Sequence, residues 1–551
     1  MAAAQSSVPP AIFAREWDFI VAGAGSSGAA LAARLAQKQI GSVLLIEAGM
    51  PDNWHWLRIP IGVAPVLLGD RAVKRYFTEA EAHLGGRRIF WPRGRVPGGS
   101  SRINGMIWAR GDPAEYAHWA AMDLPGWDYD SLLPYFQSIE RYDDPRSRTR
   151  GRTGPVHVSR YSPCDPLTQG FLDACARLGM PTVQDYNDGR YQGAGVLQLS
   201  TRNGLRCSTK EAFLDPALRL DNFCLASGLA VERIMCEHRK AVGVIVRRDG
   251  VTHAIKARAE VIVCGGAIQS PQLLQLSGIG DAARLSRLAL PVVHHLAGVG
   301  ANLIDHLHVR VNVRARNVRT VNELMNGWPA KVVEGMRFLL HRDGMLATAT
   351  CTAHALARTR DDDPQADVKL QLHNLTSPDA RDPHRYVLDP HPGFSVGVFQ
   401  LRPHSRGSVQ IASGDPQADP LIVANYLADK RDREALLRGL RLARKVIQQP
   451  DLDRFAVEEI RPGRAVVDDD ALLAWAGTCG STSYHPVGTC RMGGDADAAA
   501  VVDHRLRVHG MNGLRVADAS IMPTMPSSNI NAACIAIGAK AADLVAEDLR
   551  R

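Results

Sequence analysis

No run in this chain approaches the ~18 apolar residues that a membrane-spanning helix needs. Nor do residues 1–14 show a basic start followed by an apolar segment, so they read as a flexible tail rather than a secretory signal. Ten cysteines are scattered through 551 residues, none in a C-x-x-C pair and none grouped with histidine at zinc-finger spacing. That argues against a structural metal and for reduced thiols in a cytoplasmic compartment. Blocks of Lys and Arg interleaved with aromatics are also missing, and aromatics make up only 6% of the chain, so a nucleic-acid partner is not expected. The formal charge of +8, from 65 Lys+Arg against 57 Asp+Glu, is mild over this length. The short Arg-rich stretch 146–152 reads as a solvated loop. There is no internal repeat and no low-complexity segment.

What is present begins with residues 17 to 49. Phe19, Ile20 and Val21 form a short apolar run suited to a strand buried on both faces. Gly23, Gly25 and Gly28 follow at G-x-G-x-x-G spacing, then an Ala/Leu-rich helical stretch, then a second buried strand, Val43 to Ile46, ending in Glu47. Gly23 permits the tight turn, Gly25 lets backbone approach a pyrophosphate, and Gly28 lets helix and strand pack closely. The helix N-terminus offers N–H groups to phosphate. Glu47, nineteen residues after Gly28, stands where an acid binds ribose hydroxyls. The motif points to a dinucleotide and leaves NAD and FAD both open.

Residues 51–96 are irregular and broken by prolines, as expected of an extended cover. Gly98-Gly99-Ser100-Ser101 to Asn104 is a tight, donor-rich loop that could bind an anion as a nest does. Residues 112–142 are helical in character, opening at Asp112-Pro113. Val242–Val246 and Val251–Ile255 are expected to pair as a hairpin across Arg247-Arg248-Asp249-Gly250, a connection containing Asp-Gly. Val261 to Cys264 is a further buried strand ending in Gly265-Gly266, and Ser270-Pro271 then opens a helix. Beyond residue 310 the pattern alternates apolar and polar, as in Val309–Val313, Val368–Leu372 and Val409–Ile411, which predicts half-buried antiparallel strands. Residues 430–448 form a basic helix. Ser527 to Asn531 would cap a last apolar helix. The fold class is therefore α/β: a Rossmann-like domain plus an α+β domain with an antiparallel sheet. At this length two large domains are the sensible expectation.

The chain resembles the glucose–methanol–choline (GMC) family of flavin-dependent oxidoreductases from about residue 17 to 548. The resemblance rests on the opening motif with Glu47; on Gly94-Arg95 through Asn104; and on Gly266-Ala267-Ile268-Gln269-Ser270-Pro271 to Gly280. Further matches are Gly298 to His306, Leu401 to Gly407, the His485-Pro486 loop, and Asp518 to Asn531. The resemblance implies FAD as cofactor. It implies a discontinuous FAD-binding domain (15–160, 205–310 and 482–551) and a substrate-binding domain (161–204 and 311–481). Gly23, Gly25, Ser26, Gly28 and Glu47 would hold the ADP half. Arg95, Gly98, Gly99, Ser101, Asn104, Gly105 and Met106 would approach the pyrophosphate and the ring. Val231 would meet the adenine, and Gly265, Asp518 and Ala519 the diphosphate–ribityl region. Ile530 and Asn531, at the N-terminus of the last helix, would face the flavin O2 and stabilise negative charge there. Some relatives carry at the position of Ile103 a histidine bonded to the flavin; Ile103 cannot form that bond, so non-covalent FAD is expected.

Oxidising an alcohol requires removal of the hydroxyl proton and of a hydride. Flavin N5 takes the hydride, and histidine is the natural base. His485 matches the family's active-site histidine, and Asn529 stands where a second His or Asn holds the substrate oxygen. Asn529 could equally be only a helix cap, and His306 is expected to be structural. Tyr484 lines the pocket or only packs. The partners implied are a small-molecule alcohol and an acceptor, oxygen or another. Gly344 to Arg358 carries no acid to meet a trimethylammonium head, which favours a neutral primary alcohol over choline. A lyase cleaving cyanohydrins on the same fold is the alternative.

Overall fold

The computed structural model describes residues 11–162, 164–348, 350–378 and 387–550. The strand Trp17–Ala22 lies at the centre of the first sheet. It pairs in parallel with Val43–Glu47 on one side and with the far end of the long strand Val251–Val263 on the other. Phe223–Ser227 and Leu514–Val516 extend the parallel order outward. All the parallel-paired residues of Val43–Glu47 and Trp17–Ala22 but Asp18 are buried, as strands covered by helices on both faces require. The near end of Val251–Val263 turns antiparallel, with Lys240–Arg248 and Ala230–Glu237. Arg248 pairs with Val251, so the hairpin turns on Asp249 and Gly250 alone, both at positive φ. That is the two-residue turn the Asp-Gly pair favours.

A second, seven-stranded sheet is antiparallel throughout. Its order runs Ala456–Arg461, Leu307–Ala315, Gly393–Gln400, Val368–His373, Cys351–Ala357, Gly193–Val196, with Ser481–Thr482 also paired to Leu307–Ala315. The helix Lys430–Ile447 buries Leu436, Leu440 and Ala443, and its Gly439 rests on Val398 and Val368. The strand around Val409 is not in this sheet: Ser408–Gln410 pairs only with Leu421–Val423.

Several expectations are corrected. Residues 11–14 do not belong to the expected tail: Ala11–Ala14 is a helical turn, and the Trp17 indole N–H donates to the Ile12 carbonyl at 3.3 Å. Residues 1–10 lie outside the described residues. The 51–96 cover contains a helix, Val63–Leu68, and a hairpin of Val73–Phe77 with Phe90–Gly94. The Arg-rich stretch is not wholly solvated, because Arg150 is buried. Its guanidinium binds Glu140 at 2.7 Å and Asp185 at 3.0 Å, and Arg110 reaches Glu140 at 2.5 Å. Two arginines and two carboxylates so neutralise one another in the interior. Burial pushes the Glu140 carboxyl up, but Arg110 and Arg150 outweigh it and hold it below its ordinary range.

Helix starts differ too. The second glycine turn opens its helix at Gly266, not Ser270, and the helix runs to Leu276 with Pro271 inside. Pro271 has no N–H to give the Ala267 carbonyl one turn back. The Thr489 hydroxyl donates to that carbonyl instead, at 2.7 Å. The last helix, Asn531–Asp548, has Ile530 at its cap position and no side-chain cap. Ser527 and Asn529 are free for other partners.

Candidate active site

A cavity of about 1060 Å³ runs from Gly23, Gly25 and Glu47 at one end to His485 and Asn529 at the other. Three helices begin on its wall: Ser26–Gln37, Gly266–Leu276 and Asn531–Asp548. None has a side-chain cap. The helices at Ser26 and Asn531 offer first-turn N–H groups and dipole ends to the cavity, whereas the Gly266 N–H is already taken by Asp518, and this wall fits a bound pyrophosphate and a ring that gains negative charge. Two of these helix starts are tied together, since the Ser26 hydroxyl donates to Asn531 Oδ1 at 2.7 Å. A methyl group placed on Gly25 or Gly105 would meet no protein atom within 4 Å, so both face open space. Gly23 sits at φ +112°, and a side chain there would collide with the Cys264 carbonyl on the neighbouring strand.

Most of the expected cofactor residues line this cavity. Gly23, Gly25, Ser26 and Glu47 lie at one end. Arg95, Gly99, Asn104, Gly105 and Met106 form part of the wall, as do Gly265, Asp518, Ala519, Ile530 and Asn531. Glu47 is held by the amides of Ala24 at 3.1 Å and Gly49 at 2.8 Å. Asp518 is occupied by the protein: Gly266 N–H and the Ser270 hydroxyl donate to one oxygen, and Ser520 donates twice to the other. It staples the second glycine turn to the C-terminal strand.

Four expected residues stand off from the wall. Gly28 packs so tightly on Gly23 that a Cβ would lie 2.0 Å from its carbonyl oxygen. Gly98 takes φ +96° to make the loop's turn and offers its carbonyl to Ser101. Ser101 spends its hydroxyl on that carbonyl and on Thr209. Val231 pairs with Val246 in the antiparallel extension.

The far end of the cavity holds a chain of hydrogen bonds whose directions can be worked out. His306 Nε2 faces the Leu401 carbonyl at 3.1 Å. A carbonyl only accepts, so Nε2 carries the hydrogen. Burial lowers the His306 pKa to about 3, so the ring is neutral and its Nδ1 is an acceptor. His485 Nδ1 lies 3.0 Å from that nitrogen and must donate to it. His485 Nε2 is then the bare nitrogen, and it accepts from Asn529 Nδ2 at 2.9 Å. The amide's other end is fixed as well: Asn529 Oδ1 accepts from Lys369 Nζ at 2.7 Å. Burial, followed by His306, Lys369, Arg93 and His308, holds the His485 pKa well below its ordinary value. His485 is thus a neutral imidazole with its basic nitrogen on the Asn529 side.

Its backbone is anchored too. His485 N–H donates to Asp305 Oδ1 at 2.8 Å. The other Asp305 oxygen accepts from the hydroxyls of Thr482, at 2.5 Å, and Tyr426. Tyr484 lines the cavity at φ +65°, and its carbonyl accepts from Arg93 at 3.1 Å. His306 is buried between the Leu401 carbonyl and His485, and Asn529 is not the cap residue of the last helix.

Lys369 is the residue the sequence did not single out. It sits in a strand read as half-buried, yet every residue of Val368–His373 is buried. Its polar positions face inward: Lys369 reaches Asn529, and Gln371 and His373 line the cavity. Burial lowers the Lys369 pKa to about 7.

Two models of the GMC oxidoreductase family match residues 17–308 and 403–538. The chain belongs to the GMC oxidoreductases. It is 38% identical to an oxygen-dependent choline dehydrogenase of Vibrio vulnificus over 96% of its own length and 94% of that protein's. Identity is also 38% to the mitochondrial choline dehydrogenase of Homo sapiens, over 96% and 90%. Among solved structures, pyridoxine 4-oxidase from Mesorbium loti is 29% identical with a TM-score of 0.85, covering 96% of this chain and 98% of that one. Formate oxidase is 25% identical with a TM-score of 0.89, covering 97% and 99%. The GMC protein is thus an FAD-dependent oxidoreductase acting on CH–OH donors. These similarities run to dehydrogenases and oxidases and do not favour the lyase alternative.

Proposed function

We propose that this GMC oxidoreductase oxidises a neutral primary alcohol to the aldehyde, with His485 as the base and Asn529 holding the substrate oxygen. The observation that carries the reading is the bare Nε2 of His485, fixed as an acceptor 2.9 Å from the Asn529 amide at the far end of the cavity. Bound FAD supplies the hydride acceptor. An alcohol oxygen that displaces the direct Asn529–His485 contact would receive a hydrogen bond from the Asn529 amide and give its proton to His485 Nε2. The imidazolium that forms keeps its Nδ1–H bond to neutral His306. Asn529, backed by Lys369, steadies the developing alkoxide.

The proposed cofactor contacts are the cavity-lining residues named above, with Gly28, Gly98, Ser101 and Val231 shaping the backbone behind them. The proposed FAD-binding domain comprises 15–160, 205–310 and 482–551, and the substrate domain 161–204 and 311–481. FAD is held without a covalent bond; Ile103, which lines the cavity, has no atom that could make one. Ten free cysteines suit a cytoplasmic location.

Although relatives are named for choline, the site here suits an uncharged substrate. Among the described residues, the acids lining the cavity are Glu47 and Asp518, both on the nucleotide side, while Arg93 and Arg310 line its other part. We place the enzyme with the dehydrogenases. An anaerobic panel of alcohols, choline included, read at the flavin absorbance band tests the substrate. Bleaching by neutral primary alcohols is the expected result, and bleaching by choline alone would sink the substrate assignment. Admitting oxygen then separates slow reoxidation, as expected, from rapid peroxide release, which would make it an oxidase.

A further inference from the structure

The helix Trp328–His341 is amphipathic the wrong way round for a globular surface. Its buried residues are Glu334 and Phe338. Its exposed ones include Trp328, Val332, Val333, Met336, Leu339 and Leu340, with Trp328 at 76%, Leu339 at 69% and Leu340 at 72% of full exposure. At 3.6 residues per turn these six side chains share one arc of about 140°. Lys331 borders the arc on one side and Arg337 on the other, and Arg342 follows at the carboxyl end with its guanidinium over the Phe338 ring. Arg337 is paired with Asp343 at 2.7 Å. A contiguous apolar face of this size marks an interaction surface rather than chance exposure.

The face adjoins the substrate cavity. Lys331 and Gly335, at the Trp328 edge of that arc, line the cavity wall together with Met325, itself exposed, and Leu346. Leu67 and Leu68 of the apolar helix Val63–Leu68 also line the cavity and are only half-buried. The apolar face therefore adjoins residues of the cavity wall.

We infer that this face seats the enzyme on an anionic membrane surface, with the mouth of the cavity opening at the lipid. An outward apolar arc carrying Trp, bordered by cations that can reach headgroups, is the pattern of an interfacial helix. A protein partner or second copy docked on the same face would cover the opening through which substrate enters. A bilayer leaves the opening in contact with a phase in which lipophilic alcohols concentrate. No helix among the described residues is long and apolar enough to cross a membrane, so the attachment is to one surface.

Flotation of the holoenzyme with vesicles of equal parts phosphatidylcholine and phosphatidylglycerol tests this. The wild type floats with the vesicles. Leu339→Glu combined with Leu340→Glu stays below, yet keeps its flavin and its turnover of a short water-soluble alcohol within about twofold. Lys331→Glu with Arg342→Glu weakens attachment to anionic vesicles and leaves any attachment to pure phosphatidylcholine unchanged. Wild-type enzyme that fails to float overturns the inference. So does a dimer, seen by analytical ultracentrifugation, that the Leu339/Leu340 variant splits into monomers, for the face would then join two copies. Vesicle attachment is read independently of turnover, so loss of either leaves the other standing.

Discussion

His485 can act as a base only because its neighbours leave one nitrogen bare and uncharged. His306 receives the Nδ1 hydrogen, and burial keeps the imidazole from protonating. His485→Ala should therefore lower kcat by about 10²–10⁴-fold while FAD remains bound. Turnover unchanged in a flavin-replete variant would remove His485 from the mechanism. Because the free imidazole is already neutral, the acid limb of kcat/KM should lie below pH 6.5, which a pH profile checks directly. Lys369, like His485, is shifted downward by burial. Its folded pKa of about 7 lies below the unfolded value of a lysine, so between those values the unfolded chain binds the extra proton. Stability then rises with pH across that window, by up to about 1.4 kcal/mol per pH unit. Lys369→Met abolishes this term: urea midpoints of wild type and variant should converge as pH rises from 7 toward 10. The same variant frees the Asn529 amide to flip, so kcat should fall more than KM rises. Equal pH dependence in both proteins would show that Lys369 does not carry the proton.

At the scale of the element, one of the ties that fasten the loop holding His485 to the second glycine turn is a side-chain hydroxyl. Pro271 leaves the Ala267 carbonyl without its helical partner, and Thr489, four residues after His485, supplies it. Thr489→Val keeps the shape and removes the donor, stranding a buried carbonyl; a loss of about 1–3 kcal/mol in urea unfolding of the holoenzyme is expected. Serine at this position should restore most of it. The glycine turns, the two parallel strands and the hairpin at Asp249-Gly250 were legible because local spacing dictates them. Helix starts were legible where a side chain caps them, as Asp112 does before Pro113; the helices at Gly266 and Asn531 lack such a cap residue, and a caps-based reading looked for Ser270 and Ser527. Arg150 and Lys369 were misread for one shared reason. Polar residues in a loop or an alternating strand ordinarily face water. Here partners distant in sequence, Glu140 with Asp185 for one and Asn529 for the other, lie behind them.

Across the whole molecule, three stretches distant in sequence bring uncapped helix starts to one cavity. His485 and Asn529 stand at its end, more than 450 residues beyond the glycines of the opening turn. No single stretch lines the cavity, so the periodicity of one segment cannot disclose it. The arrangement also makes the cofactor part of the fold. Helix N-termini gathered on one cavity wall are stabilised when an anionic ligand fills the space beside them. Ligand binding to the native state alone adds about 4 kcal/mol when the free ligand is a thousandfold above its Kd. Stripping FAD should therefore lower the melting temperature and expose the 98–106 loop to protease, and adding FAD back should reverse both. With Ile103 at the flavin, acid precipitation should leave all of the flavin in the supernatant. Yellow colour retained in the washed pellet would mean a covalent bond from some other residue, and with it a cofactor that could not be exchanged.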